Sequence, residues 1–268
     1  MINNPNKNNQ NQTAVCVVGN YLFLRKYLNK FVNQVRENGK FRGEIIVLTS
    51  SFTITSLLRI KDRNNVTFIK QKKIKFDKNT EDSLRNLDTN NQPNRHIKKN
   101  FQWHKLHLFD ICLKKWDFIF YIDINMEINH DINPILKERP LACLYANPDD
   151  TTGENGWTLE TQFDKNHTDF QGLQNMYNLQ VKDYFQSGIM YFDTDIVSIQ
   201  TKEDLLKLVR RYPFTLTNEQ AILNLYFYFQ KNIYYMLPPI SEGIKNYSYW
   251  KADEEVRISK ANLSKSRK

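Results

Sequence analysis

The stretch W-D-F-I-F-Y-I-D-I-N-M-E-I-N-H at 116–130 carries two oxygen-bearing side chains, Asp123 and Asn125, one residue apart behind an apolar run. Oxygen donors suit hard divalent cations such as Mg²⁺ or Mn²⁺, which proteins commonly share with substrate phosphates. Residues i and i+2 of a strand share a face but lie well apart along it, so side-chain and backbone oxygens converge on one ion where the strand ends and the chain turns. A D-x-N at a strand end is equally an ordinary turn or helix cap, and spacing alone does not separate the two. His104 and His107 stand at i, i+3, a spacing that can bind metal, but without further ligands nearby they read as surface or partly buried histidines.

The elements around this pair must position it. Continuous apolar residues from Phe118 to Ile122 suit a strand buried on both faces, as in a sheet covered by helices. Upstream, Thr13 to Val18 reads as a buried strand stopped by Gly19-Asn20-Tyr21. A helix with Leu24, Leu28, Phe31 and Val35 on one face follows, closed by Gly39. Glu44 to Thr49 and Val66 to Ile69 read as strands, with a short helix near 53–61 between them. This β-α-β-α-β opening predicts an α/β fold with parallel pairing. Residues 77–100 are polar and read as a long loop or lid, and Phe101 to Lys115 reads as a helix entering the central strand. Beyond it come a strand from Pro140 to Ala146, the loop N-P-D-D-T-T-G-E-N-G and a strand from Gly188 to Asp193 entered through F-Q-S. Two helices carry capping pairs, Thr201 with Asp204 and Thr217 with Gln220, and Ile233 to Leu237 is expected as the last strand.

A chain of 268 residues, 40% hydrophobic and 13% aromatic, has material for one large core. The expectation is a disordered tail at 1–12, a single domain at 13–250 and a basic tail at 251–268. Three cysteines scattered among apolar residues suit buried thiols better than disulfides. The N-terminal residues lack the apolar core of a signal peptide and no run is long enough to span a membrane, so the expectation is a soluble, cytoplasmic protein. The net charge of +9 gathers at 70–78, 95–105 and 257–268, which would suit an anionic partner. No recognised nucleic-acid motif accompanies it, so a solvated lysine surface is the simpler reading. Homodimer formation is left open.

The segment W-H-K-L-H-L-F-D-I-C-L-K-K-W-D-F-I-F-Y-I-D-I-N resembles the region around the D-x-D motif in glycogenin-like glycosyltransferases, family 8 of the GT-A fold. F-Q-S-G-I-M-Y-F at 185–192, N-E-Q-A-I-L-N at 218–224 and G-N-Y at 19–21 are similar to three further blocks of that family, in the same order. The resemblance implies a mixed sheet flanked by helices and transfer of a sugar from a UDP-sugar, such as UDP-glucose, to a glycan or protein acceptor with retention of configuration. It implies that Asp123 and Asn125 hold Mn²⁺ or Mg²⁺ against the donor diphosphate and that Lys105 offsets the donor's charge. By the same likeness Gln186, Ser187 and Gly188 line the sugar, Glu219 binds its hydroxyls and Gln220 lies near the anomeric carbon. Tyr21 would stack on uracil, with Gly19 and Asn20 letting the backbone approach the nucleoside.

The chain departs from that pattern at four places. Asn125 stands for an aspartate, Gln186 for an asparagine and Glu219 for an aspartate, and the family's late metal-binding histidine has no counterpart in I-S-E-G-I-K-N-Y-S-Y-W at 240–250. Glu242 and Asp253 are the substitutes the sequence offers. Two other readings therefore stand beside an active transferase: an inactive nucleotide-sugar-binding module on the same fold, and a basic nucleic-acid-binding protein. A phosphatase with an aspartate nucleophile is disfavoured by Asn125 and Met126.

Overall fold

The computed structural model describes residues 12–50, 65–87, 100–149, 156–249 and 255–260. The helix expected near 53–61, the middle of the loop at 147–156, Asp253 and nearly all of the N-terminal tail lie outside the described residues.

Strand β1 (Thr13–Val18) puts Ala14, Cys16 and Val18 into one apolar layer and Val15 and Val17 into the other. Helix α1 (Tyr21–Glu37) covers the second layer with Leu24, Leu28, Phe31 and Val35. Strands β2 (Ile45–Thr49) and β3 (Val66–Lys70) extend the sheet in parallel. On the other side of β1 lies β4 (Phe118–Ile122), also parallel, with Cys16 opposite Tyr121. Its Ile119 and Tyr121 enter the first layer and Phe118, Phe120 and Ile122 the second. Burial on both faces thus follows the period of two that a strand imposes on its side chains.

After β5 (Met126–Ile128) and β6 (Leu144–Pro148), strand β7 (Phe185–Asp193) inserts antiparallel between β4 and β6, and β8 (Tyr234–Met236) pairs parallel with β6. The main sheet has seven strands in the order β3-β2-β1-β4-β7-β6-β8 and is mixed. A smaller sheet joins β5 to three late strands, β9 (Ile240–Ser241), β10 (Ile244–Ser248) and β11 (Val256–Lys260), in the order β5-β11-β10-β9. No helix among the described residues is long and apolar enough to cross a membrane. All three cysteines are free thiols, with Cys16 and Cys143 buried.

Several boundaries differ from those read in the sequence. The polar stretch at 77–100 contains helix α2 (Lys78–Asn86), which starts where the Asp77 carboxylate accepts the Thr80 amide. Phe101 to Lys115 is two 3₁₀ segments, Asn100–Phe109 and Ile111–Lys115, because Asp110 ends the first and caps the second through the Cys112 amide. The strand expected from Pro140 starts only at Leu144, since Arg139 and Ala142 take positive φ of 31° and 51° and hold the chain in a turn. A four-residue helix α3 (Asn133–Leu136) and helix α4 (Phe170–Met176) fill the connections on either side of β6. Ser198, not Thr201, caps helix α5 (Ile199–Arg211). The strand expected last, at Ile233 to Leu237, is β8, and three further strands follow it. One of them, β11, lies in the stretch expected as a basic tail, where it pairs with β10 on one side and β5 on the other.

Candidate functional site

The chain reversal at β7 creates the site. Because β7 runs antiparallel to β4, its first residues lie beside the last residues of β4: Ile122 pairs with Ile189, and the Asp123 amide donates to the Gly188 carbonyl at 2.8 Å. The chain turns at once after Asp123, whose carbonyl accepts the Met126 amide at 2.9 Å. Strand β6 reaches the same edge through a bulge between Ala146 and Asn147, and Asp149 follows, its amide bonded to the Tyr184 carbonyl at 3.0 Å. Helix α6 (Glu219–Leu223) comes in above β7 and continues as a π-helix, Asn224–Gln230. Asn224, fully buried, accepts the Phe185 amide at 2.8 Å and donates to the carbonyls of Phe185 and Gln220 at 2.8 and 2.9 Å. That one side chain ties the helix to the strand.

Lys105 is the centre of the arrangement. Its Nζ lies 3.0 Å from Asp123 Oδ1 and 2.9 Å from Glu219 Oε1, and it donates to the carbonyl and hydroxyl oxygens of Ser187, each at 3.3 Å. Burial would drive this amine toward neutrality, but the Asp123 and Glu219 carboxylates outweigh it and raise its pKa, so it stays an ammonium. Ser187 also donates to Glu219 Oε1 at 3.0 Å, and the Tyr121 hydroxyl donates to Asp123 Oδ1. Burial, followed by the nearby Asp123 charge, raises the pKa of Tyr121, which keeps it a donor.

Two compartments meet at Lys105 and Asp123. The polar one, a cavity of about 320 Å³, is lined by Asp149, Gln162, Gln186, Ser187, Glu219 and Gln220. There the Asp149 Oδ2 accepts from Tyr184 at 2.9 Å, Gln220 at 3.2 Å and Gln162 at 3.3 Å. Gln220 also accepts the Ser187 amide at 3.1 Å, and Glu219 Oε2 is buried with no hydrogen-bond partner among the described residues. Gln186 turns back on its own strand, accepting the Gly188 amide and the Tyr247 hydroxyl, both at 2.7 Å. A Cβ at residue 188 would stand 2.6 Å from that amide oxygen, so the glycine leaves room for the Gln186 side chain to fold back. The second compartment, about 160 Å³, is walled by Phe23, Phe101 and Tyr249 and reaches Asp123, Asn125 and Lys260. Phe23 and Phe101 face each other with centroids 4.6 Å apart.

Of the residues named from the sequence, Asp123, Lys105, Gln186, Ser187, Glu219 and Gln220 converge on this crevice and Asn125 lines its aromatic half, whereas Gly188 lines neither compartment and instead gives its amide to the Gln186 side chain. Gly19, Asn20 and Tyr21 do not line either compartment. Asn20 caps α1 through the Phe23 amide at 3.0 Å, and Gly19 leaves room for Leu24, whose side chain a Cβ there would meet at 2.8 Å. Tyr21 packs on the second apolar layer, and Phe23, two residues on, takes the pocket position. Gln220 is not a capping partner of Thr217: the residue before α6 is Asn218 at φ 54°, and the Thr217 hydroxyl is buried without a hydrogen-bond partner among the described residues. His104 and His107 are both buried, with ring centroids 5.3 Å apart. Sequence reading missed Asp149, Gln162, Phe101, Tyr249 and Lys260. Asp149 was visible as the first acid after a strand, but the others are brought in from distant segments with no local signal.

The described residues do not make up a ligand set for a resident Mn²⁺ or Mg²⁺. No three His, Cys, Asp or Glu side chains converge among them. Asn125 is neutral, Asp123 Oδ1 is already engaged by an ammonium and a phenol, and Glu242 is exposed and bonded to Lys137 at 2.6 Å. Hard divalent ions favour several oxygen donors of high charge, and here the Asp123 and Glu219 carboxylates are both paired to the Lys105 ammonium while Asn125 offers only a neutral amide.

No protein-family model matches the chain, and no curated protein does. Solved structures do match. LgtC, a galactosyltransferase in complex with donor and acceptor sugar analogs, superposes with a TM-score of 0.57 at 15% identity, over 92% of this chain and 86% of that one. The apo form of WbbM, a bifunctional glycosyltransferase, gives 0.55 at 16% identity over 90% of this chain and 40% of that one. GlyE, a glycosyltransferase of Streptococcus pneumoniae, gives 0.51 at 14% identity over 85% and 46%. The chain thus spans less than half of WbbM and GlyE. Its seven-stranded mixed sheet flanked by helices is the GT-A glycosyltransferase fold.

Proposed function

We propose that the protein transfers a sugar from a UDP-sugar to a glycan or protein hydroxyl with retention of anomeric configuration, in the manner of glycosyltransferase family 8. The observation that carries this reading is the two-compartment crevice itself. An aromatic slot and a polar chamber meet at a charged wall, which matches the three parts of a nucleoside diphosphate sugar. The base would lie against the wall formed by Phe23, Phe101 and Tyr249, the diphosphate against Lys105, and the sugar hydroxyls against Asp149, Glu219, Gln162 and Gln220. The unpartnered Glu219 Oε2 is an acceptor held ready for a donor hydroxyl. In the reaction the bond from anomeric carbon to diphosphate oxygen breaks and a bond to the acceptor oxygen forms, while the acceptor proton leaves with the UDP. Lys105 supports the departing charge and Gln220 orients the sugar.

Measuring UDP release across a panel of UDP-hexoses, with simple sugars as acceptors, tests the reading. Release above the buffer rate that vanishes in Asp123→Ala supports it. UDP bound with no turnover on any donor leaves the inactive binding module, which the lone Asp123 carboxylate beside Asn125 also suits. Failure to bind UDP removes both.

A further inference from the structure

Resting on the donor reading above, we infer that this site meets the donor diphosphate with two lysine ammoniums of its own, Lys105 and Lys260, and binds its donor without a divalent ion. Lys260 is the last residue of β11, and pairing of β11 with β5 sets it opposite Met126, the residue that follows the Asp123–Asn125 turn. Its Nζ donates to the Tyr249 hydroxyl at 2.9 Å and stands 4.0 Å over that ring. Lys260 and Lys105 line the same small compartment as Asp123 and Asn125, so two ammoniums bracket the turn where a metal would otherwise be held.

Charge decides between the two arrangements. Around the turn stand Asp123 and Glu219, each one negative charge, and Lys105, one positive, with Lys260 adding a second positive. A divalent ion reaching for Asp123 Oδ1 meets the Lys105 ammonium already 3.0 Å from that oxygen. Two like charges in so dry a setting repel strongly. Those four charges sum to zero, so what a diphosphate finds there is not a positive field but ammonium donors already in place, and Lys is a competent point-charge ligand for phosphate. Tyr249 holds Lys260 in place by hydrogen bond and ring, so little ordering remains to be done on binding.

Equilibrium binding of UDP and of uridine to the full chain, in excess EDTA and again in Mn²⁺, tests this without reference to turnover. The expected result is UDP affinity that agrees within about twofold between the two conditions. Lys260→Gln should weaken UDP by about tenfold or more while leaving uridine nearly unchanged, since uridine has no phosphate to lose. UDP binding that appears only with Mn²⁺ overturns the inference and leaves the donor reading standing. Equal weakening of UDP and uridine in Lys260→Gln overturns it too, as a loss of pocket shape. If uridine and UDP both fail to bind in either condition, the donor reading falls and takes this inference with it.

Discussion

Lys105 is the residue on which the site's electrostatics turn. Its side chain is 7% exposed and Glu219's is 2% exposed, so each satisfies a charge that water cannot reach. Lys105→Met strands the Glu219 carboxylate, and loss of one partner of a buried pair costs about 3–5 kcal/mol. The variant's urea midpoint at pH 7 should fall accordingly. Asn125→Asp makes the opposite change, adding a second carboxylate at the turn. If the donor is held by Lys105 and Lys260 as inferred above, the change should weaken UDP binding in EDTA and create a Mn²⁺ response absent from the parent chain, read by titration calorimetry under both conditions.

At the scale of elements, the site depends on how α6 is hung from β7. The helix has only five α-helical residues, starts at a strained Asn218 and has no side-chain cap, so its own propensity does not hold it. Asn224 does, with three bonds to Phe185 and Gln220. Asn224→Ala takes the side-chain acceptor from the buried Phe185 amide and one donor each from the Phe185 and Gln220 carbonyls, the latter keeping the backbone N–H of residue 224, and an amide left unsatisfied costs about 1–3 kcal/mol. Both stability and the position of Gln220 should suffer. The check on a positioning role is a fall in kcat for UDP release with UDP affinity held, whereas a drop in stability alone would reduce Asn224 to a structural clamp. Gly188 belongs to the same junction, because its missing Cβ is what lets Gln186 fold back onto the strand.

At the scale of the whole molecule, the small sheet joins the end of the chain to its middle. Arg257, 2% exposed, donates to Asn246 Oδ1 at 3.1 Å, to the Ser241 carbonyl at 2.6 Å and to the Asp131 carbonyl. Arg257→Ala opens a cavity and orphans those oxygens together, so a loss of about 3 kcal/mol or more in denaturant unfolding is expected. Because β11 carries Lys260, UDP affinity should fall with it. Acid stability has a separate source. Burial, followed by the charges of Lys73 at His104 and of Lys202 at His107, lowers both histidines from 6.5 to about 4. Between those values the unfolded chain binds more protons than the folded one, so stability is complete above about pH 6.5 and is lost as pH drops toward 4. Thermal melts across that range should show the slope, and a His104→Gln, His107→Gln double variant should flatten it.

What the sequence by itself determined follows from local patterning. The first three strands, α1 and the two-sided burial of β4 were legible because apolar periodicity is written along contiguous residues, Thr13–Val18 without error. The blocks around Asp123, Ser187 and Gln220 are also contiguous, but they were legible through their resemblance to a known family and not through periodicity. Tertiary structure alone decided what stands in it. Phe23 rather than Tyr21, Asp149, Phe101, Tyr249 and Lys260 reach the crevice through strand order, a bulge and the pairing of β11 with β5, none of which leaves a mark on neighbouring residues. The D-x-N turn was rightly placed by its sequence, but its electrostatic character was not. That depends on an ammonium from a 3₁₀ segment and a carboxylate from α6, which only folding brings within 3.0 Å of one another.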